Sequence, residues 1–235
     1  MNANPETPEC HPLPKWAVLI NNRLFPMPRR RLAPRDIRDQ SGIGNELVFV
    51  RDYSSTSDPV LDDHEEIDLG EGNVFRTIPR CEAPPHSHCE GTAKFAFVLD
   101  DAWEETLIAR QTGYSLKRLF GVPDDAELLR DFESPNDKLV QDEEVVIFPD
   151  GPVFTLRHAT FTVKVNTKPV RFVKRRVTGM EIKETAIKQD VKIEIGFVLY
   201  RLKPDGGLGP AIRDDEEVLL KDCDEFSCVA PDDKS

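Results

Sequence analysis

Nowhere do the 235 residues contain a run approaching the ~18 apolar residues of a membrane-spanning helix. The N-terminal MNANPETPECHPLPK also lacks the apolar core of a signal peptide. The sequence therefore reads as cytoplasmic, with no membrane partner. Cysteine is scarce: Cys10, Cys81, Cys89, Cys223 and Cys228 are odd in number and lie outside the hydrophobic segments, which suits reduced thiols rather than a disulfide framework. Basic residues are in the minority, 31 Lys and Arg against 43 Asp and Glu, and the net charge of −12 argues against a nucleic-acid partner. No Gly-rich phosphate loop, GxSxG, HExxH or CxxC occurs. The expectation is a protein that is not an enzyme, has no catalytic residues and holds no cofactor of its own.

What the chain does have is an internal repeat, and a fixed period changes the reading of the whole fold. Shifting Trp16 onto Phe95, by 79 residues, aligns WAVLINN with FAFVLDD, LVFVRDY with ELLRDF, and GNVFRTI with GPVFTLR, so that Phe75 falls on Phe154. A third copy starts at Phe161, offset from the first by 145 residues. The offset grows to 151 by Phe226, which leaves about six extra residues around QDVKIEIG and KPDGGLG. These alignments divide the chain into a flexible N-terminal segment (1–15), a first domain (16–80), a linker (81–93), a second domain (94–158), a third domain (159–226) and a C-terminal tail (227–235).

Each unit shows the same order of elements. In the third, FTVKV and KPVRFVKR alternate around a tight Asn-Thr turn, which reads as a hairpin. Asn21-Asn22 and Asp100-Asp101 stand at the same turn in the other two units. Thr178-x-x-Glu181 reads as a capping box opening a helix that buries Ile182, Ala186 and Ile187. GFVLYRL supplies a third strand, and after a turn an acidic pair leads into EEVLL, read as the last strand. The order is ββαβ with a further terminal strand, which suits a β-grasp and occurs also in unrelated small α+β folds; the expected fold class is α+β, three tandem domains, each a mixed sheet with one packed helix.

The third unit carries a resemblance. Val165-Asn166 at the hairpin, Val177-Thr178-Gly179 before the helix, Leu199-Tyr200 in the third strand, and Asp214-Asp215-Glu216 with Phe226 at the end resemble the bacterial multiubiquitin family of tandem ubiquitin-like domains. Thr112-Gly113 repeats the helix start in the second unit, and Ala33-Pro34 replaces it in the first. The resemblance implies a protein modifier of a bacterial ubiquitination-like pathway, implicated in antiphage defence. An activating enzyme would adenylate its C-terminus using ATP, and a conjugating enzyme and a peptidase encoded nearby would complete the set of partners, with target proteins unspecified. Ubiquitin-like modifiers usually end in Gly-Gly, whereas here the sequence reads Phe226-Ser227-Cys228-Val229-Ala230-Pro231 and then DDKS. That stretch is the candidate processing and conjugation tail, with trimming after Phe226 as one route. The alternative is a scaffold that is never conjugated and binds partners through several domains by avidity.

Other clusters admit plainer readings. Cys81, His86, His88 and Cys89 form a weak candidate zinc set, but the spacing differs from the two well-separated pairs of known fingers and ribbons, and a solvated linker is simpler. Arg31, Arg110 and Lys174-Arg175-Arg176 occupy equivalent places and are the candidate docking strip for an acidic partner or a partner's tail, with a solvated sheet face as the plainer reading. The acidic clusters at residues 62–66, 142–144 and 214–217 recur once per unit at an element boundary, which suits a structural turn better than catalysis.

Overall fold

The computed structural model describes residues 13–55, 58–84, 91–133 and 136–231. The first repeat runs β1 (Trp16–Ile20), β2 (Arg23–Met27), β3 (Arg31–Leu32), α1 (Pro34–Ser41), β4 (Leu47–Arg51), β5 (Ile67–Asp68) and β6 (Val74–Pro79). The second runs β7 (Phe95–Leu99), β8 (Ala102–Thr106), β9 (Arg110–Thr112), α2 (Gly113–Phe120), β10 (Glu127–Arg130), β11 (Lys138–Val140), β12 (Val145–Ile147) and β13 (Val153–Arg157). The third runs β14 (Phe161–Val165), β15 (Lys168–Phe172), β16 (Arg176–Thr178), α3 (Gly179–Lys188), β17 (Val198–Leu202), β18 (Leu208–Ile212), β19 (Glu217–Leu219) and β20 (Glu225–Val229). The main sheets are ordered β2-β1-β6-β4, β11-β10-β13-β7-β8 and β15-β14-β20-β17-β18. In each repeat the first strand pairs antiparallel with the second and parallel with the last. Three tandem ubiquitin-like α+β domains result, as the repeat implied.

Local chemistry explains the shared order. The hairpin turns need positive φ at their central residues, which Asn and Asp tolerate; Asn21 and Asn22 sit at 48° and 60°, Asp100 at 55°, and Asn166 and Thr167 at 47° and 70°. The aligned phenylalanines occupy one place: Ile20 pairs with Phe75, Leu99 with Phe154 and Val165 with Phe226, all on the parallel strand and all fully buried. Thr178 and Glu181 close the expected capping box of α3. Ile182 and Ala186 are buried there, but Ile187 is 37% exposed, one position round from the covered face. EEVLL is not the closing strand: β19 is a short partner of β16, and the chain turns again before β20 enters the main sheet.

The chain divides into two compact units that cut across the repeats, one of residues 1–113 and 128–155, the other of residues 114–127 and 156–235. In the first unit the opening repeats pack face to face. All five residues of β1 and all five of β7 are buried. Ala17 packs with Val98 and Val153, Leu19 packs with Val74 and Ala96, and Trp103 borders both groups. Asn73, with no exposed surface, donates to Ala17 O and Ala96 O at 2.9 Å and accepts from Ala96 N at 2.7 Å, so one amide joins both repeats.

This packing follows a local two-fold rule, because apart from the Asn73 bonds its main contacts recur with each partner exchanged for its equivalent 79 residues away. Lys15 Nζ meets Asp131 at 2.9 Å and Lys94 Nζ meets Asp52 at 2.8 Å. Pro14 bridges Phe132, and Ala93 bridges Tyr53. Glu133 N donates to Leu13 O, and Ser54 N donates to Thr92 O. Such self-complementary exchange is the signature of an isologous dimer, here within one chain. Residues 13–15 and 92–93, expected in a flexible N-terminal segment and a linker, are therefore arms held, together with Lys94, each against the other repeat. Gly72 and Gly151 make room for them: both have positive φ, and a Cβ would lie 2.7 Å from that of Ala93 and 2.5 Å from that of Pro14.

Candidate functional site at the last strand

Strand β20 lies inside its sheet, parallel to β14 on one side and antiparallel to β17 on the other, with Arg201 opposite Phe226, Tyr200 opposite Ser227, Leu199 opposite Cys228 and Val198 opposite Val229. Phe226 is its anchor. The Arg201 guanidinium lies 5.4 Å from that ring's centre, donates to Leu219 O at 2.7 Å and meets Asp224 at 3.1 Å. Further along, Asn166 grips the backbone of Cys228 twice, donating to its carbonyl and accepting from its amide, both at 2.7 Å. The first repeat has the same device, Asn21 holding Thr77 through side chain and backbone.

The expected tail thus begins too early. Ser227, Cys228 and Val229 belong to the folded sheet, and only Ala230 and Pro231 among the described tail residues stand exposed beyond it. Trimming after Phe226 would remove three of the four residue pairs of the ladder with β17 and the Cys228 clamp. The Cys228 thiol, 2% exposed, is pushed up in pKa by burial, which suits a core residue and not a tail nucleophile. Aligning on Phe226 alone concealed this, because the strand runs three residues past its anchor.

The basic strip separates on inspection. Arg31, Arg110 and Arg176 do share one position, on β3, β9 and β16, opposite Asp68, Ile147 and Leu219, and all three are exposed. Arg31 reaches Asp68 at 3.3 Å and Arg176 reaches Glu217 at 3.1 Å. Lys174 is exposed as well. Arg175 is not available for docking: it is 8% exposed, donates to Phe120 O at 2.8 Å and lies over the Phe120 ring, because the bend between β15 and β16 turns it inward.

The acidic clusters work as turns. Glu144 O and Glu216 O accept from Gly113 N and Gly179 N, and Asp214 O accepts from Met180 N, so the clusters hold the first turns of the helices. Asp63 receives Arg38 at 2.8 Å and Arg80 at 2.6 Å. Burial works to raise the Asp63 pKa, but the hydrogen bonds from Arg80 and Arg38 outweigh it and hold the carboxyl below its ordinary range. Of the candidate zinc set, Cys81 is exposed on a 3₁₀ turn, and His86, His88 and Cys89 lie outside the described residues. Among the described residues no group of three or more His, Cys, Asp or Glu side chains is placed to hold a metal ion. Among them, too, no helix is long and apolar enough to cross a membrane.

One repeated pair escaped the sequence reading. Arg51, Arg130 and Arg201 each lie over the phenylalanine of the last strand, at 5.8, 5.8 and 5.4 Å from Phe75, Phe154 and Phe226. The alignment of LVFVRDY with ELLRDF had already put the first two in register.

With this strand and its anchor defined, a comparison with known families becomes informative. Residues 161–232 match the family model described as Multiubiquitin. The match begins at the first residue of β14 and passes beyond β20, so it takes in the whole third repeat, including the stretch expected to be tail. The third repeat is ubiquitin-like in sequence and in fold. The first two share that fold without falling inside the multiubiquitin match. No curated protein matches the chain.

Proposed function

We propose that the chain is a ubiquitin-like protein modifier whose third, multiubiquitin-like repeat presents the reactive end. In this reading a cognate activating enzyme joins the C-terminal carboxylate to the AMP portion of ATP with release of pyrophosphate. The acyl group then passes through a conjugating enzyme to an amine of a target. The chemistry belongs to the partners, and this chain supplies a rigid handle and a tail that can extend. The observation that carries the reading is the end of β20: the Asn166 clamp holds Cys228, Val229 still pairs with Val198, and the chain leaves the sheet exposed at Ala230. In this reading a partner peptidase cuts beyond Val229, which the continuation of β20 past Phe226 supports.

A second reading, a scaffold that binds partners by avidity and is never conjugated, draws on Pro231-Asp232-Asp233, whose bulk and charge suit a narrow adenylation cleft poorly. Intact mass separates the two. The purified chain is incubated with ATP and the activating enzyme, conjugating enzyme and peptidase encoded beside it. Loss of residues beyond Val229, or heavier adducts, is the expected result. An unchanged mass with partners shown to be active on another substrate would replace the modifier with the scaffold.

A further inference from the structure

The first unit contains a cavity of about 660 Å³ that the modifier reading does not use. Trp16 and Phe132 contribute to its lining from buried positions, Pro28 and Pro149 contribute partly exposed apolar surface, and Leu13 is 60% exposed. Four arginines line it, Arg29, Arg30, Arg31 and Arg130, against two acids, Glu66 and Asp150. On a chain of net charge −12 this concentrates positive charge over an apolar surface.

The four guanidinium groups are not equally committed. Arg30 is structural: it makes two bonds to Asp68, at 2.6 and 2.9 Å, donates to Pro149 O and lies over Trp16. Arg29, 63% exposed, has an ion pair with Asp36 at 3.5 Å, and Arg31, 66% exposed, has one with Asp68 at 3.3 Å. Arg130 meets Asp150 at 3.8 Å. The exposed pairs of Arg29 and Arg31 contribute little and exchange readily for a better carboxylate, whereas Arg130, 13% exposed, is fixed at the groove floor over Phe154.

The two-fold rule supplies a control within the molecule. Moved by 79 residues, Pro28-Arg29-Arg30-Arg31 becomes Leu107-Ile108-Ala109-Arg110. Both repeats keep the same hydrogen bond there, Leu69 N to Arg30 O and Phe148 N to Ala109 O. Packing is therefore satisfied without Arg29 and Arg30, and the arginine run is a feature of one groove of the pair, not a requirement of the fold.

We infer that this groove binds an extended acidic segment of a partner protein, with its apolar and proline side chains over Trp16, Pro28 and Phe132 and its carboxylates on Arg29, Arg31 and Arg130. Aromatic and proline-lined grooves suit extended peptides, and guanidinium groups suit carboxylates. The apolar lining distinguishes this occupant from a free phosphate, and the chain's overall charge distinguishes it from nucleic acid.

The test is selection of random displayed dodecapeptides on the full chain, followed by fluorescence anisotropy with the selected peptides. Expected are sequences rich in Asp or Glu together with proline or large apolar residues, with binding that weakens as salt rises. The exposed double variant Arg29→Gln/Arg31→Gln, checked for an unchanged melting curve, should bind them on the order of tenfold or more weakly. The reverse variant Ile108→Arg/Ala109→Arg, which restores the arginine run beside Arg110, should acquire a second site for the same peptides. Selection without acidic enrichment, equal binding by Arg29→Gln/Arg31→Gln, or displacement of the peptide by inorganic phosphate at the concentration that displaces it from polyarginine would overturn the inference.

Discussion

The same strand has two fates in one chain. In β1 and β7 the side chains pointing away from their own helix are Ala17 and Leu19, and Ala96 and Val98, all buried between two repeats. In β14 the aligned residues are Thr162 and Lys164, and Lys164 lies exposed beside Glu225 at 2.7 Å. The burial patterns follow: five buried residues out of five in β1 and β7, alternation in β14. A β-grasp sheet needs only one covered face, so the second face decides whether a repeat pairs or stays open. Two substitutions per strand separate a repeat built for pairing from one whose second sheet face stays polar and open.

Exchanging those residues should break the comparison most sharply. Leu19→Lys places an unpaired charge in the shared core and should remove about 4 kcal/mol from the first unit. The reciprocal Lys164→Leu should leave the second unit's unfolding midpoint unchanged. Both tryptophans, Trp16 and Trp103, lie in the first unit, so tryptophan fluorescence during urea unfolding reads that unit alone, while hydrogen exchange reads both. Equal effects of the two substitutions would mean that the second face does not distinguish the repeats.

Next in size is Asn73→Ala. It leaves the Ala17 and Ala96 carbonyls and the Ala96 amide without their partner in a dry interface, and should cost about 2–3 kcal/mol in the same fluorescence experiment. Its counterpart by the two-fold rule is Pro152, which has no side-chain hydrogen-bonding group, so Asn73 is a single fastener and not one of a pair.

Acid sharpens the comparison with a smaller effect. In the first unit, burial works to raise the pKa of Asp63 and Asp68, but hydrogen bonds from Arg80 and Arg38 to the one, and from Arg30 and Gly70 N to the other, hold both below the ordinary range. The unfolded chain then takes up these protons first as pH falls. The stability they contribute is complete above the ordinary carboxylate range and is lost below about pH 4. In the second unit burial pushes the Asp224 pKa up, so the folded state takes up that proton first, and acidification through its raised range favours folding. Hydrogen exchange at stepped pH should show the first unit opening before the second, and Asp63→Asn should flatten the acid limb of the first unit.

Much of the fold was legible because its signals are local. Asn at the hairpins, the Thr178 and Glu181 cap and the recurring phenylalanine each act through neighbouring backbone or one packing position. The pairing of repeats was also written in WAVLI and FAFVL, continuous where FTVKV alternates, but a continuous run states only that both faces are covered and not by what. The end of the last strand was misplaced because its final residues are held by Asn166, 62 positions away in the chain. Arg175 was placed with its exposed neighbours because a run of three basic residues gives no sign of which one turns inward.

By itself the sequence determined the three repeats, their α+β order, and the multiubiquitin character of the third, all properties carried by local preferences repeated at a fixed spacing. Only the tertiary structure decided that the first two repeats bury each other's sheet face, that Arg29, Arg31 and Arg130 line one groove, and that the fold continues to Val229. Those outcomes depend on residues distant in sequence meeting across an interface, and no local preference encodes such a meeting.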